Sequence, residues 1–147
     1  MSPLCDAVSL RVFLFKREGV DVFHLRLAVG MAFDAYSIHV MEQNQPGLRT
    51  ACAILRSEGP RANLVLVEQR KHESATADLL ASLRQVPELS SSPVVVLGDA
   101  EDPCAERIAL QEGADAFVPL AERASELPRI GRDLHRFWWD RELQKSA

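Results

Sequence analysis

The sequence predicts an α/β fold: a three-layer, doubly wound parallel sheet with helices on both faces. Residues 63–68 and 93–97 contain apolar, largely β-branched runs that do not alternate with polar residues. Such runs are typical of strands buried on both faces. Five strand candidates alternate with five helical stretches along the chain, and this order produces parallel βαβ units with right-handed crossovers.

Proline, glycine and polar capping residues mark the ends of the predicted elements. Gly59 and Pro60 follow the second helix, and Gly113 fits the end of the fourth. Asp102 followed by Pro103 is typical of an N-cap and a first helical position, so the fourth helix is expected to begin there. In order, the predictions are strand 10–15, helix 20–33, strand 36–41, helix 45–58, strand 63–68, helix 74–86, polar loop 87–92, strand 93–97, helix 102–113, strand 115–118 stopped by Pro119, and helix 125–142.

The first predicted helix is apolar over a wide arc. Its apolar residues form two rows, each with the spacing of three or four residues that belongs to a helix. A helix that packs on two sides is the simpler interpretation, and a surface for a partner is the alternative. The first row is Val22, Leu25, Val29 and Ala32, and the second is Phe23, Leu27 and Met31.

Length and charge limit the classes of function. A chain of 147 residues suits one domain, here 9–147 with an extended C-terminal helix, preceded by a flexible leader at 1–8. The net charge of −4 does not support nucleic-acid binding, which requires a basic surface. No apolar run approaches the ~20 residues of a membrane helix, and the N-terminus does not resemble a signal peptide. We therefore expect a cytoplasmic protein that does not bind a membrane.

Cysteines, histidines and charged clusters give no clear metal site. The cysteines lack CxxC pairs and the histidines lack HExxH spacing, so reduced packed thiols and ordinary histidines are expected. A basic cluster after the central strand is a solvated loop or, alternatively, an anion or partner contact. An acidic cluster after the fourth strand is a weak cation site or, more simply, a set of helix caps. These residues are Cys5, Cys52 and Cys104; His24, His39 and His135; Arg70, Lys71 and His72; and Asp99, Glu101 and Asp102.

Four stretches, 63–68, 87–89, 92–97 and 112–118, resemble the receiver domain of two-component response regulators, and the likeness extends over nearly the whole chain. Among receivers, the chain is most similar to the single-domain regulators that accompany phytochromes. In those regulators a stretch rich in Phe and Trp follows the last helix, as Phe137-Trp138-Trp139 does here. The resemblance implies a flavodoxin-like sheet with strand order 2-1-3-4-5.

The resemblance also implies that the metal and phosphoryl positions have changed. Receivers carry an acidic pair for Mg²⁺ after the first strand, where this chain has Lys16 and Arg17. The phosphoacceptor aspartate at the end of the third strand corresponds to Glu68. Because Mg²⁺ binds through carboxylates, two cations would repel it and would also remove its ligands. We predict instead an ion pair between Glu68 and Arg17 or Lys16.

The remaining switch positions are altered as well, with one exception. The hydroxyl residue after the fourth strand corresponds to Gly98, and the lysine after the fifth corresponds to Leu120. The aromatic switch residue on the fifth strand is retained as Phe117. Without metal ligands, hydroxyl and lysine, phosphoryl transfer has no support.

We therefore expect a non-enzymatic pseudo-receiver that has no metal or cofactor and acts by protein–protein contact in two-component signalling. A shape locked independently of any signal is favoured over a mimic of the active state. Its partner would be a sensor histidine kinase or another signalling protein. The alternatives are an atypical receiver that still accepts a phosphoryl group and a flavodoxin-like small-molecule binder, although the turns lack the glycine-rich phosphate fingerprint.

Adjacent tryptophans suggest association between copies of the chain. One helix cannot bury both Trp138 and Trp139 against its own sheet, so one should face outward or contact a partner. Receivers commonly associate through the fourth helix, fifth strand and fifth helix. The resemblance therefore implies a homodimer with Phe117, Leu120 and a tryptophan of the last helix in its interface.

Overall fold

A computed structural model of the chain describes residues 10–17, 22–59, 62–69, 74–120 and 123–146. The elements are β1 Leu10–Lys16, α1 Phe23–Ala32, β2 Tyr36–Glu42, α2 Gln45–Glu58, β3 Asn63–Gln69, α3 Ser74–Arg84, β4 Val94–Asp99, α4 Ala105–Gln111, β5 Ala116–Leu120, a 3₁₀ turn Ala124–Glu126 and α5 Leu127–Ser146. The predicted leader and the basic cluster at 70–72 lie outside the described residues.

The five strands form one parallel sheet in the order β2-β1-β3-β4-β5. This confirms the predicted fold class and strand order. The order reverses between β1 and β3, where Phe15 is in register with Val67. In sheets of this kind, ligand sites form at that reversal, beyond the carboxyl ends of the strands.

Helices cover both faces of the sheet, so two apolar cores form. On one face α1 and α5 bury Leu25, Val29 and Ile130 against the strands. On the other face α2, α3 and α4 contribute Leu55, Leu80 and further side chains to the second core. All seven residues of β3 are buried because the strand lies at the centre of the sheet between the two helical layers. This burial explains why β3 reads as a continuous apolar run.

Two predicted boundaries are wrong. Strand β5 continues through Pro119 to Leu120, because an edge strand can accept proline where no ladder hydrogen bond from that nitrogen is needed. Helix α4 begins at Ala105 and not at Asp102. The carboxylate of Asp102 accepts a hydrogen bond from the Cys104 N–H at 2.9 Å. Asp102 thus caps a turn that precedes the helix. Gly113 follows α4 with a φ of 110°, as expected of a helix-terminating glycine.

The interpretation of α1 as a helix packed on two sides is wrong for its second apolar row. The first row is buried, but Phe23, Leu27 and Met31 are exposed by 58%, 41% and 57%. The sheet covers only one side of α1, and α5 lies beside it. The second row therefore remains on the surface of the described structure.

The two tryptophans of α5 have different environments, as predicted. Leu127, Ile130 and Leu134 bury the inner side of the helix. Trp138 is partly buried and meets the Phe33 ring edge-on at 6.4 Å, whereas Trp139 is 51% exposed. Within the described residues, no helix combines the length with the apolar character that a bilayer crossing requires.

A buried arginine organises the amino-terminal edge of the sheet. Arg11 is 1% exposed, and its Nε donates to Oδ1 of Asn63 at 2.8 Å. Its Nη2 donates to the Gly59 carbonyl at 3.0 Å, and its Nη1 lies 3.6 Å from Oε1 of Glu58. The guanidinium also lies 5.6 Å from the centre of the Phe13 ring. A charge this deep needs such partners, because an unpaired buried charge is strongly destabilising.

We predict that Asn63→Ala lowers the free energy of unfolding by about 2 kcal/mol, because it leaves a buried charged donor unsatisfied. Urea denaturation measures the change. The exposed substitution Ser57→Ala is the control and should change stability by less than about 0.5 kcal/mol. Equal stability of the two variants would contradict this role for Asn63.

Candidate functional site at the carboxyl edge of the sheet

The carboxyl ends of the strands bring several of the predicted site residues to one edge. Lys16 is the last residue of β1, Glu68 is the next-to-last of β3, and Gly98 is the next-to-last of β4. Leu120 ends β5 and is in register with Asp99 of β4. Arg17 follows Lys16 directly. The edge therefore holds one acidic, two basic, one apolar and one glycine position where the receiver resemblance places its reactive residues.

The carboxylate of Glu68 is enclosed by the protein, since the residue is 1% exposed. The backbone N–H of Arg17 donates to its Oε1 at 3.3 Å. Lys16 and Arg17 are partly buried at the end of β1, and β1 lies next to β3 in the sheet. The predicted ion pair through one of their side chains stays a prediction.

Gln43, which the sequence analysis did not identify, connects the central strand ends. Its Nε2 donates to the Phe15 carbonyl at 3.1 Å and to the Glu68 carbonyl through a short hydrogen bond. Its Oε1 accepts from the Thr76 hydroxyl at 3.4 Å. One amide thus joins β1, β3 and α3 beneath the edge. The sequence signal was a polar residue directly after the edge strand β2.

The residue after Glu68 is also buried and polar. Gln69 is 5% exposed and is in register with Gly98. Among the residues that the structure describes, its Oε1 has no hydrogen-bond partner. A buried amide oxygen of this kind is unfavourable unless another group reaches it.

The ring of Phe117 occupies the space above Gly98. A Cβ at position 98 would lie 2.4 Å from Cε2 and 2.8 Å from Cζ of Phe117, which is closer than any real contact. The ring is partly buried and packs against the core under α3 and α4. Any side chain at position 98 therefore competes directly with the aromatic ring.

A basic side chain from α5 holds the backbone next to Leu120. Leu120 is partly buried against the core shared with α1 and α5. Arg129 donates through Nη2 to the Pro119 carbonyl at 2.7 Å and through Nη1 to Oδ2 of Asp133 at 2.9 Å. The end of β5 is thus fixed by a hydrogen bond from α5, and the aliphatic Leu120 offers no charge to the site.

The donor set does not fit Mg²⁺. The ion needs several hard oxygen ligands, usually including carboxylates, but the ends of β1 and β3 supply one carboxylate and two cationic residues. Within the described ranges no group of three or more histidine, cysteine or acidic side chains is placed to hold a metal. In the acidic loop, Oδ1 of Asp99 accepts from the Glu101 N–H at 2.8 Å, so both aspartates, Asp99 and Asp102, cap local turns.

The predicted interface residues pack on different faces of the sheet. Phe117 packs with the α2–α4 side of the sheet, whereas Leu120 and Trp138 pack with the α1–α5 side. The ring of Trp139 lies 5.9 Å from that of His135, which contacts α1. The tryptophans therefore belong to the side of α5 that faces α1.

Comparison with solved structures identifies the architecture. The chain is similar to phosphorylated RcpA, a cyanobacterial phytochrome response regulator, with a TM-score of 0.64, 18% identity and coverage of 88% of this chain and 93% of that one. The fold is that of response-regulator receivers. For RPA3017, a response regulator in red light signaling of R. palustris, the TM-score is 0.63 at 14% identity, with coverage of 87% of this chain and 90% of that one. For the Mn²⁺-bound response regulator Rcp1, the TM-score is 0.62 at 17% identity, with coverage of 87% of this chain and 93% of that one. No protein-family model and no curated protein matches the chain.

We predict that Gly98→Ala lowers the free energy of unfolding by about 2 kcal/mol, because its methyl group overlaps the Phe117 ring. In a Phe117→Ala background the same substitution should have little effect, since the space is then free. A double-mutant cycle in urea measures this coupling. Equal effects in both backgrounds would show that the ring does not impose the glycine.

Proposed function

We propose that this protein is a degenerate receiver that acts in two-component signalling by protein–protein contact, without phosphoryl transfer. The observation that supports it most is the carboxyl edge of the sheet, where Lys16 and Arg17 occupy the place that the resemblance assigns to the acidic pair of a receiver. Phosphoryl transfer to a carboxylate depends on positioning and on neutralisation of charge by the metal. Here two cationic residues stand at the end of β1, and Glu68 supplies the carboxylate near the end of β3.

Burial of Glu68 supports the same proposal. An acceptor carboxylate must be reached by the phosphorus atom of its donor, but Glu68 is 1% exposed. One of its oxygens already accepts a hydrogen bond from Arg17. Gly98 and Leu120 supply neither the hydroxyl nor the cation that would stabilise a phosphoryl group.

The aromatic position supports a fixed shape. In a protein that switches, two arrangements must be close in free energy, and a ligand must favour one of them. Phe117 fills the space over Gly98, and no side chain at position 98 competes with it. The ring therefore stays inward in the absence of any phosphoryl group, and a locked conformation follows.

The setting of this function follows from the proposed class. The partner is a sensor histidine kinase or another signalling protein of the cytoplasm, and a phytochrome-linked pathway fits the cyanobacterial phytochrome response regulator RcpA, which shares the fold. The protein itself is not an enzyme under this proposal. Copies of the chain associate through α4, β5 and α5.

The proposal predicts no mass gain after incubation with acetyl phosphate and Mg²⁺, measured by intact-protein mass spectrometry. A receiver that has its full acidic pair and aspartate, treated in parallel, is the positive control. A Mg²⁺-dependent gain of one phosphate that disappears in Glu68→Gln would overturn the proposal and make Glu68 an acceptor.

The proposed homodimer predicts a dimer mass at micromolar concentration in sedimentation equilibrium. Leu110 is the large apolar side chain that α4 leaves exposed, by 45%, so Leu110→Glu should convert the dimer to monomer. Leu27→Glu places the same charge on α1 and should leave the dimer intact. A monomer of the unmodified protein would refute this part of the proposal.

A further inference from the structure

An open groove lies between the end of α1 and the first half of α5. It has a volume of about 560 Å³, a size that suits a small molecule. Gly131 lets the two helices approach, since a Cβ there would lie 3.0 Å from Cβ of Met31 and 3.1 Å from the Ala28 carbonyl oxygen. The groove is therefore a product of the helix packing. Its lining residues are Met31, Pro128, Gly131, Arg132, His135 and Arg136.

Two arginines supply positive charge to this groove. Arg132 and Arg136 are exposed and lie one turn apart on α5. Within the described part of the chain, neither guanidinium has a hydrogen-bond or ion-pair partner. Asp133, which lies between them in sequence, is paired with Arg129 at 2.9 Å. Two adjacent guanidinium groups that are not neutralised by the protein offer a set of donors that matches a phosphate group.

The arginines share one face of α5 with two aromatic side chains. Arg132, His135, Arg136 and Trp139 follow one another at i, i+3, i+4 and i+7 spacing. From the first to the last of these residues the helix rises by about 10 Å. This face turns toward α1, because the ring of His135 is bonded to the Ala32 carbonyl.

His135 offers a hydrogen-bond acceptor to the groove. Its Nδ1 lies 2.7 Å from the Ala32 carbonyl oxygen, which can only accept, so Nδ1 carries the proton. The Nε2 atom of the neutral ring is then an acceptor. A ligand hydroxyl can donate to it, and the bond to α1 holds the ring in place for that contact.

Trp139 places an indole ring beside the basic groove. The residue is 51% exposed, and its ring centre lies 5.9 Å from that of His135. Trp138, in contrast, is partly buried against Phe33. Exposed aromatic rings next to positive charge are typical surfaces for the stacking of nucleobases.

We propose that the α1–α5 groove binds a nucleoside phosphate. The phosphate group accepts hydrogen bonds from Arg132 and Arg136, a ribose hydroxyl donates to Nε2 of His135, and the base stacks on Trp139. Each of the three parts of the ligand thus meets a side chain of matching chemistry on one helical face. Binding here does not depend on the proposed loss of phosphoryl transfer, because none of the lining residues belongs to the carboxyl edge of the sheet.

Other anionic ligands fit less well. Inorganic phosphate and the headgroup of an anionic lipid satisfy the arginines but leave Trp139 without a stacking partner. A nucleic acid requires an extended basic surface, whereas this chain has a net charge of −4 and the basic residues here occupy two turns of one helix. A single nucleotide uses the arginines, His135 and the indole together.

Isothermal titration calorimetry of the full chain with AMP, GMP, CMP and UMP tests the proposal. Saturable binding of at least one of them is expected, with a dissociation constant below about 1 mM. Adenosine and inorganic phosphate, titrated separately, should bind at least about tenfold more weakly than AMP, since each carries only part of the recognised chemistry. Added salt should weaken the binding of the nucleotide, because the phosphate contacts are ionic.

Substitutions separate the two halves of the site. Arg132→Gln and Arg136→Gln should each weaken nucleotide binding about tenfold, because each removes a charge-assisted contact to the phosphate. Trp139→Ala should weaken nucleotide binding about fivefold or more through the loss of stacking. The same Trp139→Ala substitution should leave the weak binding of inorganic phosphate unchanged.

Matched controls make the same changes elsewhere on the molecule. Arg107→Gln on α4 and Phe23→Ala on α1 alter exposed residues that do not line the groove. Each should change the dissociation constant by less than about twofold. Circular dichroism of every variant checks that its helices remain.

Three results would overturn the proposal: no saturable binding of any of the four nucleotides, equal binding of inorganic phosphate and AMP, or unchanged nucleotide binding in Trp139→Ala. Tighter binding of a single-stranded oligonucleotide of about 12 nucleotides would assign the face to a nucleic acid instead. Tighter binding to phosphatidic acid vesicles that depends on Arg132 and Arg136 would assign it to a lipid headgroup. Either of these two outcomes would also refute a nucleotide site.

Discussion

Burial of the Glu68 carboxylate is the constraint on which the carboxyl edge of the sheet depends. A charge removed from water must be compensated by the protein, and the penalty is several kcal/mol where compensation fails. The backbone of Arg17 meets one carboxylate oxygen, and Gln43 holds the carbonyl of the same residue. Glu68 can stand near the end of the central strand because residues before and after β2, Arg17 and Gln43, provide these donors. Chemistry that needs an open carboxylate conflicts with this arrangement.

The sheet could be predicted from sequence because its signals are local and strong. The unbroken apolar runs of β3 and β4 leave little alternative to buried parallel strands, and the receiver resemblance supplied their order. The start of α4 could not be predicted, because Asp102-Pro103 satisfies helix-start rules while the carboxylate caps a turn instead. Pro119 was equally misleading, because proline is excluded from central strands but tolerated at an edge.

The sequence suggested residues for the candidate site but not their arrangement. The resemblance pointed to Glu68, Gly98 and Phe117 one by one. Three-dimensional contact was needed to show that the Phe117 ring requires glycine at position 98, and that Gln43 joins strands distant in sequence. The exposure of the second row of α1 was likewise invisible, because apolar periodicity does not say which faces other elements cover. Long-range packing, rather than local pattern, decided each of these points.

The end of β5 has a consequence for how the molecule meets other chains. An open sheet edge ordinarily offers free N–H and C=O groups on which a foreign strand can add. At position 119 the proline has no N–H, and Arg129 already occupies its carbonyl. The sheet therefore cannot be extended past this point by strand addition. A partner that meets this edge must therefore do so through side chains, which is also a safeguard against edge-to-edge aggregation at β5.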